Sequence, residues 1–345
     1  TQVKCGPAPS TTAATPDRPV QSIGRRRFMK RIALNPLSQI GGGWFILAAA
    51  FLFGTTGTAQ AFAPPGAQPM TIGTIRLAVG ALALLLLTAV RGELRFLRSW
   101  RSWPFLATLA AAAGVAAFQI FFFAAVARTG VAVGTIVALG TTPIAAGSLA
   151  IIVHRQWPGR HWMVATALAI AGCALLILAT GNIRTDMIGI LFAIIAGIAY
   201  ALFALFSKDL LAEFPVGSVL TVTFMIGVMM LLPVLFLGDL SWLLEPRGLA
   251  VALHLGVVTV GFAYLLFAIG LAAVPVATAA TLNLAEPLTA GLLGVLLLGE
   301  RLNTSAAIGV ALLLAGLLSL ALQRNGSRTI PVTEYSDSEG QLPHP

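Results

Sequence analysis

Glu286 stands in the middle of a long apolar stretch, directly before Pro287. An acidic side chain at the centre of a bilayer costs roughly 2.5–3.5 kcal/mol on insertion scales, so it is expected to face other helices or a water-filled cavity. Its chemistry would be proton exchange or capture of a substrate amine; a carboxyl that only fixes helix packing is the alternative. Arg76 is a cation about two turns into another apolar stretch. It either reaches back to the outer surface of the bilayer or meets a carboxylate, that of Glu286 or of a substrate. Gln119 and Asn283 carry amides at similar depth and need partners inside a bundle. Thr55, Thr56, Tyr200 and Tyr264 add hydroxyls, and both tyrosines lie away from the bilayer interfaces where tyrosine usually collects. Each of these residues alone reads as packing; as a set they describe an apolar cavity with a few polar anchors. His254, near an outer end, reads as an interfacial or packing histidine.

Such side chains must be held by elements that cross a membrane. Of the 345 residues 58% are hydrophobic and 10% are charged. The mean hydropathy is +0.92, more apolar surface than a water-soluble chain of this length can hide. Stretches of about 20 apolar residues, enough to cross roughly 30 Å of hydrocarbon, recur near 41–60, 70–90, 103–127, 131–153, 161–180, 187–207, 216–237, 248–272, 275–298 and 303–322. Continuous runs of this length predict helices, because barrel strands are shorter and alternate. The expected fold is an all-α integral membrane protein with ten transmembrane helices.

The net charge of +9 sits in the loops and tails. With the N-terminus in the cytoplasm, fourteen Lys and Arg in the segments from Arg25 onward fall on the inner side and four, Arg128, Arg184, Arg247 and Arg301, on the outer. That bias predicts a multi-pass protein of the inner (cytoplasmic) membrane with both termini cytoplasmic. It also accounts for the basic balance without a nucleic-acid partner. Cys5 falls in the N-terminal tail and Cys173 in the fifth span, so neither a disulfide nor a metal site is expected. The basic cluster from Arg25 to Arg31 mimics a signal peptide, but the apolar run after it is long and is matched by the sixth span. It therefore reads as a mature helix.

The second five spans repeat the first five. An offset of 144 pairs Phe123 with Phe267, Pro143 with Pro287, Gly147 with Gly291 and Gly172 with Gly316. The first two spans of each half align best nearer 147. An odd number of spans per repeat turns the two halves upside down relative to each other, the architecture of carriers that alternate access to a central site. Residues 36–182 and 183–322 read as the repeats, and 1–35 and 323–345 as disordered cytoplasmic tails. Pro143 and Pro287 each remove one backbone hydrogen bond inside a span. Freed carbonyls are tolerated at that depth only in protein or beside a cavity, so both prolines are expected to loosen a helix, either at the site or as packing kinks.

The segment from Asn283 to Leu293, NLAEPLTAGLL, followed by Gly299, Glu300, Arg301 and Leu302, resembles EamA-type members of the drug/metabolite transporter superfamily. Phe53-Gly54 is similar to the family's Trp-Gly in the first span, and Arg76 to its recurrent arginine in the second. The chain departs from the pattern in its first half, where Thr142 stands opposite Glu286 and Gln156 opposite Glu300. Acidic chemistry is thereby concentrated in the second repeat. Glu300 itself reads as a helix-end contact with the following arginine.

The resemblance implies two inverted five-helix repeats that rock about a cavity lined by spans one, three, four, six, eight and nine. It further implies a secondary transporter that exports or facilitates movement of a small metabolite, an amino acid first among them. A multidrug or nucleoside-like efflux carrier is the alternative, and outside transport a membrane receptor or structural protein. Phosphate substrates are disfavoured because Arg76 is the one membrane-depth cation read in the spans, and the first span lacks the glutamate of small multidrug pumps. No His, Asp, Glu and Ser cluster at catalytic spacing and no Gly-Lys-Ser/Thr phosphate loop is present, so an enzyme is not expected. The expected partners are a small-molecule substrate and the lipid bilayer, for a monomer or homodimer. No cofactor is expected, with a proton as the candidate coupling ion.

Overall fold

The computed structural model describes residues 36–93, 95, 103–178, 186–298 and 304–322, and among them there is no strand. The helices are α1 (Pro36–Ala61), α2 (Pro69–Val90), α3 (Phe105–Gly130), α4 (Val133–His154), α5 (Arg160–Leu178), α6 (Met187–Leu211) and α7 (Val216–Leu237). They continue with α8 (Pro246–Ala273), α9 and α10 (Thr304–Ala321). α9 is composite: Val276–Leu282, a 3-10 turn Asn283–Ala285, then Glu286–Leu298. Eight of these helices are long and apolar enough to cross a membrane; α5 is shorter in its apolar part, and the break divides α9. All ten expected segments are thus helical, and the count of ten crossings rests on those two. Both tails and the Gly299, Glu300, Arg301, Leu302 motif lie outside the described residues.

Local chemistry places the ends of these helices. Asp186 caps α6, its carboxylate accepting from the backbone N–H of Ile188 at 2.9 Å and of Gly189 at 3.0 Å, which pairs two donors that a helix start leaves open. Pro69 opens α2 at a position where its missing N–H costs nothing. Gly130, with φ 83° and ψ 164°, turns α3 into α4; only glycine adopts that backbone readily.

Packing crosses the repeats. α6 lies along the α3–α4 hairpin, α1 lies against α8 and α9, α2 against α7 and α8, and α5 against α10. The first helix of each repeat is therefore embedded among the third and fourth helices of the other. The two repeats thus interlock through these helices. Buried alanines such as Ala111, Ala138, Ala196, Ala204 and Ala280 line these contacts, as expected where backbones approach closely in lipid.

The paired prolines behave differently. α4 stays helical through Pro143, so the expected break there is absent; the non-helical residue of the α3–α4 segment is Gly130. At Pro287 the helix does change. The N–H of Glu286 bonds the carbonyl of Asn283 in a 3-10 turn, taking up the acceptor that Pro287 has no N–H to reach. A second irregularity, a π-helical stretch over His254–Phe262, occupies the middle of α8.

Candidate functional site

Arg76 turns inward. It is buried, and its Nη2 donates to Gln119 Oε1 at 2.8 Å. Gln119 Nε2 in turn donates to the Gly73 carbonyl at 3.0 Å. The guanidinium carbon stands 5.3 Å from the centroid of the Phe123 ring, within cation–π range. Arg76 thus does not reach back to the bilayer surface: a neutral amide on α3 and an aromatic face hold it inside. The buried Nε has no hydrogen-bond partner among the described residues. Both ends of the Gln119 amide are engaged, so Gln119 positions Arg76 rather than facing a ligand freely.

Glu286 begins the second segment of α9 and is half-buried. Its carboxylate makes no ion pair or hydrogen bond among the described residues, yet stands within electrostatic reach of Arg76, Tyr200 and Tyr264. Asn283, one turn earlier, is buried with Oδ1 unpartnered. The backbone around Glu286 is approached closely by α1. A Cβ built on Gly54 would lie 2.6 Å from the Glu286 carbonyl oxygen and would also strike Thr289. The glycine beside Phe53 is therefore what lets α1 seat against the acidic helix.

An aromatic cluster surrounds the two tyrosines. Tyr264 packs edge-on against Phe53 and Phe224, each at 4.9 Å between centroids, and against Phe203 at 5.6 Å. Tyr200 lies 5.2 Å from Phe118 and 5.9 Å from Phe267, with its buried Oη unpartnered. Helices α1, α3, α6, α7 and α8 supply these rings. Sequence reasoning identified the tyrosines and missed the phenylalanines, because a phenylalanine in an apolar helix is indistinguishable from one facing lipid. The repeat pairing of Phe123 with Phe267 was the available hint.

Two further candidates stand apart. Thr55 donates to the Leu52 carbonyl at 2.7 Å and lies 3.0 Å from His254 Nε2. This contact ties α1 to α8. Thr56 is half-buried and makes no side-chain hydrogen bond among the described residues. At one end of the bundle Arg128 on α3 pairs with Asp186 at 3.1 Å. The N–H of Gly189 and then the Arg128 guanidinium hold the Asp186 carboxyl below the usual carboxylate range.

The arrangement brings a buried cation and an unpaired carboxylate within electrostatic reach of the tyrosines of an aromatic cluster, with an unpartnered amide oxygen one turn before the carboxylate. Such a set can orient a small polar ligand with an apolar part.

Comparisons with known proteins agree with this architecture. The EamA-like transporter family matches the chain twice, over residues 40–178 and 187–322. The uncharacterized transporter YwfM of Bacillus subtilis (strain 168) is 43% identical over 292 residues, covering 85% of this chain and 97% of that one. An uncharacterized transporter of Archaeoglobus fulgidus is 36% identical over 132 residues, 38% of this chain and 46% of its own. A solved crystal structure superposes with a TM-score of 0.70 at 19% identity, over 81% of this chain and 96% of the other, and shows the shared fold. Two matches that together span most of the described helices, and a relative aligned over nearly its whole length, place the chain in one family: it belongs to the EamA-like transporter family.

Proposed function

We propose that this protein is a secondary transporter that moves an amino acid across the cytoplasmic membrane by alternating access, with export as its physiological direction. The observation that carries the reading is the separation of charge at the centre of the bundle. Arg76 and Glu286 are within electrostatic reach but make no ion pair with each other; Arg76 is met by a neutral amide and an aromatic face, so neither charge is matched by an opposite one, as the two ends of a zwitterion would. In this reading the Arg76 guanidinium receives the carboxylate and Glu286 the ammonium. Asn283 and Tyr200 orient the head group, and the rings of Phe53, Tyr264 and Phe267 receive an apolar side chain. Gln119 keeps the guanidinium in place. Charges held at this depth without a countercharge are costly, which favours binding of a ligand that supplies both.

The test is counterflow in proteoliposomes loaded with a mixture of amino acids, following one labelled amino acid at a time. The expected result is accumulation of one class by the wild type and its loss in Glu286→Gln. Silence across the amino acids, with accumulation of a nucleoside or a lipophilic cation instead, would overturn the substrate assignment. Measured against external pH, the same assay reports proton coupling. A pH dependence that survives Glu286→Gln unchanged would remove the carboxyl from that role.

A further inference from the structure

A cavity opens away from these residues, where α4 ends and α5 begins, on the side that the basic loops assign to the cytoplasm. Its volume is about 300 Å³, the lower end of the range that holds a small ligand. The first repeat contributes His154, Trp157 and Trp162 to its wall, and the second contributes Lys208, Asp209 and Thr278. The two repeats therefore face each other across it.

The charged groups are arranged rather than scattered. Lys208 Nζ donates to the carbonyls of Leu271 at 2.7 Å and Val274 at 2.6 Å, where α8 ends. An ammonium carries three N–H groups, so one donor remains. Its neighbour Asp209 places Oδ1 3.2 Å from His154 Nε2, leaving its second oxygen. One helix end thus presents a fixed cation and a fixed anion to the same cavity. Trp162 and the mostly exposed Trp157 supply apolar surface beside them.

We propose that this cavity is a second binding site, a vestibule that takes the zwitterionic head of an amino acid on its way to or from the central site. The remaining Lys208 N–H receives the carboxylate, Asp209 receives the ammonium, and the side chain lies against Trp157 and Trp162. The proposal rests on the amino-acid reading of the transporter. It differs from the central site in taking both charges from one helix end, so the two sites are separable by substitution.

The experiment is equilibrium dialysis of the purified full chain in lipid nanodiscs against a mixture of the common amino acids, with the bound molecules released and quantified. The wild type is expected to bind two amino acids per chain, and Glu286→Gln to retain one. In the Glu286→Gln background, Lys208→Met is expected to weaken the retained site about tenfold, the scale of one hydrogen bond to a charged group. Because Lys208 also supports the end of α8, Trp157→Ala provides a variant with little risk to folding; it is expected to weaken the same site severalfold. One amino acid per chain in the wild type, lost completely in Glu286→Gln, overturns the vestibule and leaves the transporter reading intact. A retained site indifferent to both Lys208→Met and Trp157→Ala also overturns it. No bound amino acid in the wild type removes the amino-acid reading and the vestibule together.

Discussion

The two repeats share a scaffold and carry opposite charges. Arg76 and its holder Gln119 belong to the first repeat; at offsets of 147 and 144 their counterparts in the second are Thr223 and Ala263. Glu286 belongs to the second, and its counterpart in the first is Thr142. The helices that bear them differ accordingly. α4 passes through Pro143 as a helix, with the Thr142 hydroxyl bonding the Ala138 carbonyl at 2.9 Å. α9 tightens into a 3-10 turn before Pro287 and leaves the Glu286 carboxylate without a local partner. Proline alone does not break a membrane helix. At Pro287 the Asn283 carbonyl is instead taken up by the Glu286 N–H in a 3-10 turn.

The strongest way to break this comparison is to move the charge. Glu286→Gln is expected to lower transport by about tenfold to a hundredfold, the worth of a hydrogen bond to a charged group. Thr142→Val at the matching position should change it by less than about twofold. Equal effects in counterflow would show the repeats to be functionally equivalent after all. Next comes the seat of α1 on α9. Gly54→Leu forces a side chain onto the Glu286 carbonyl and Thr289, and overpacking of this kind costs about 1–3 kcal/mol. Thermal unfolding in detergent should show a clear fall in the midpoint, together with loss of transport.

Gln119→Leu tests the cationic pole. It removes an acceptor from a buried guanidinium, a loss of about 1–3 kcal/mol, and should lower the unfolding midpoint. Ala263→Ser, at the counterpart position, should not. Pro287→Ala and Pro143→Ala then sharpen the backbone contrast. The first restores an N–H able to reach the Asn283 carbonyl and should reduce transport about threefold by straightening α9, on the order of 0.6 kcal/mol. The second should leave transport unchanged. The smallest effect is expected at the exposed Arg128–Asp186 pair. The folded Asp186 carboxyl is held below its usual value by the Gly189 N–H and by Arg128, so its contribution is present above the unfolded pKa and fades as pH falls through the folded one. Asp186→Asn should leave stability at neutral pH little changed, because exposed pairs are screened by solvent, and should flatten its dependence on pH below about 4.

Much of the architecture was legible because lipid imposes one-dimensional rules. A run of apolar residues must be a helix, and the positions of Gly and Pro in paired runs exposed the repeat. Glu286 and Arg76 were legible for the same reason, since a charge at membrane depth demands an interior role. Their partners were not. Gln119 read as a candidate ligand, and its engagement with both Arg76 and the Gly73 carbonyl depends on which faces of α2 and α3 meet. Thr55 likewise read as a ligand and proves to be joined to His254. Lys208 read only as a cytoplasmic charge, yet it binds two carbonyls at the end of α8.

The sequence by itself determined that this chain is helical and membrane-spanning, that it is built twice, and which few charged residues had to be turned inward, because each of these follows from the cost of exposing polar groups to hydrocarbon. Only the tertiary structure decided that the repeats interlock, that α9 rather than α4 breaks, and that Arg76 and Glu286 remain unpaired beside an aromatic cluster. Those outcomes depend on close approach between helices far apart in the chain, at residues such as Gly54, and no local rule encodes which surfaces will meet.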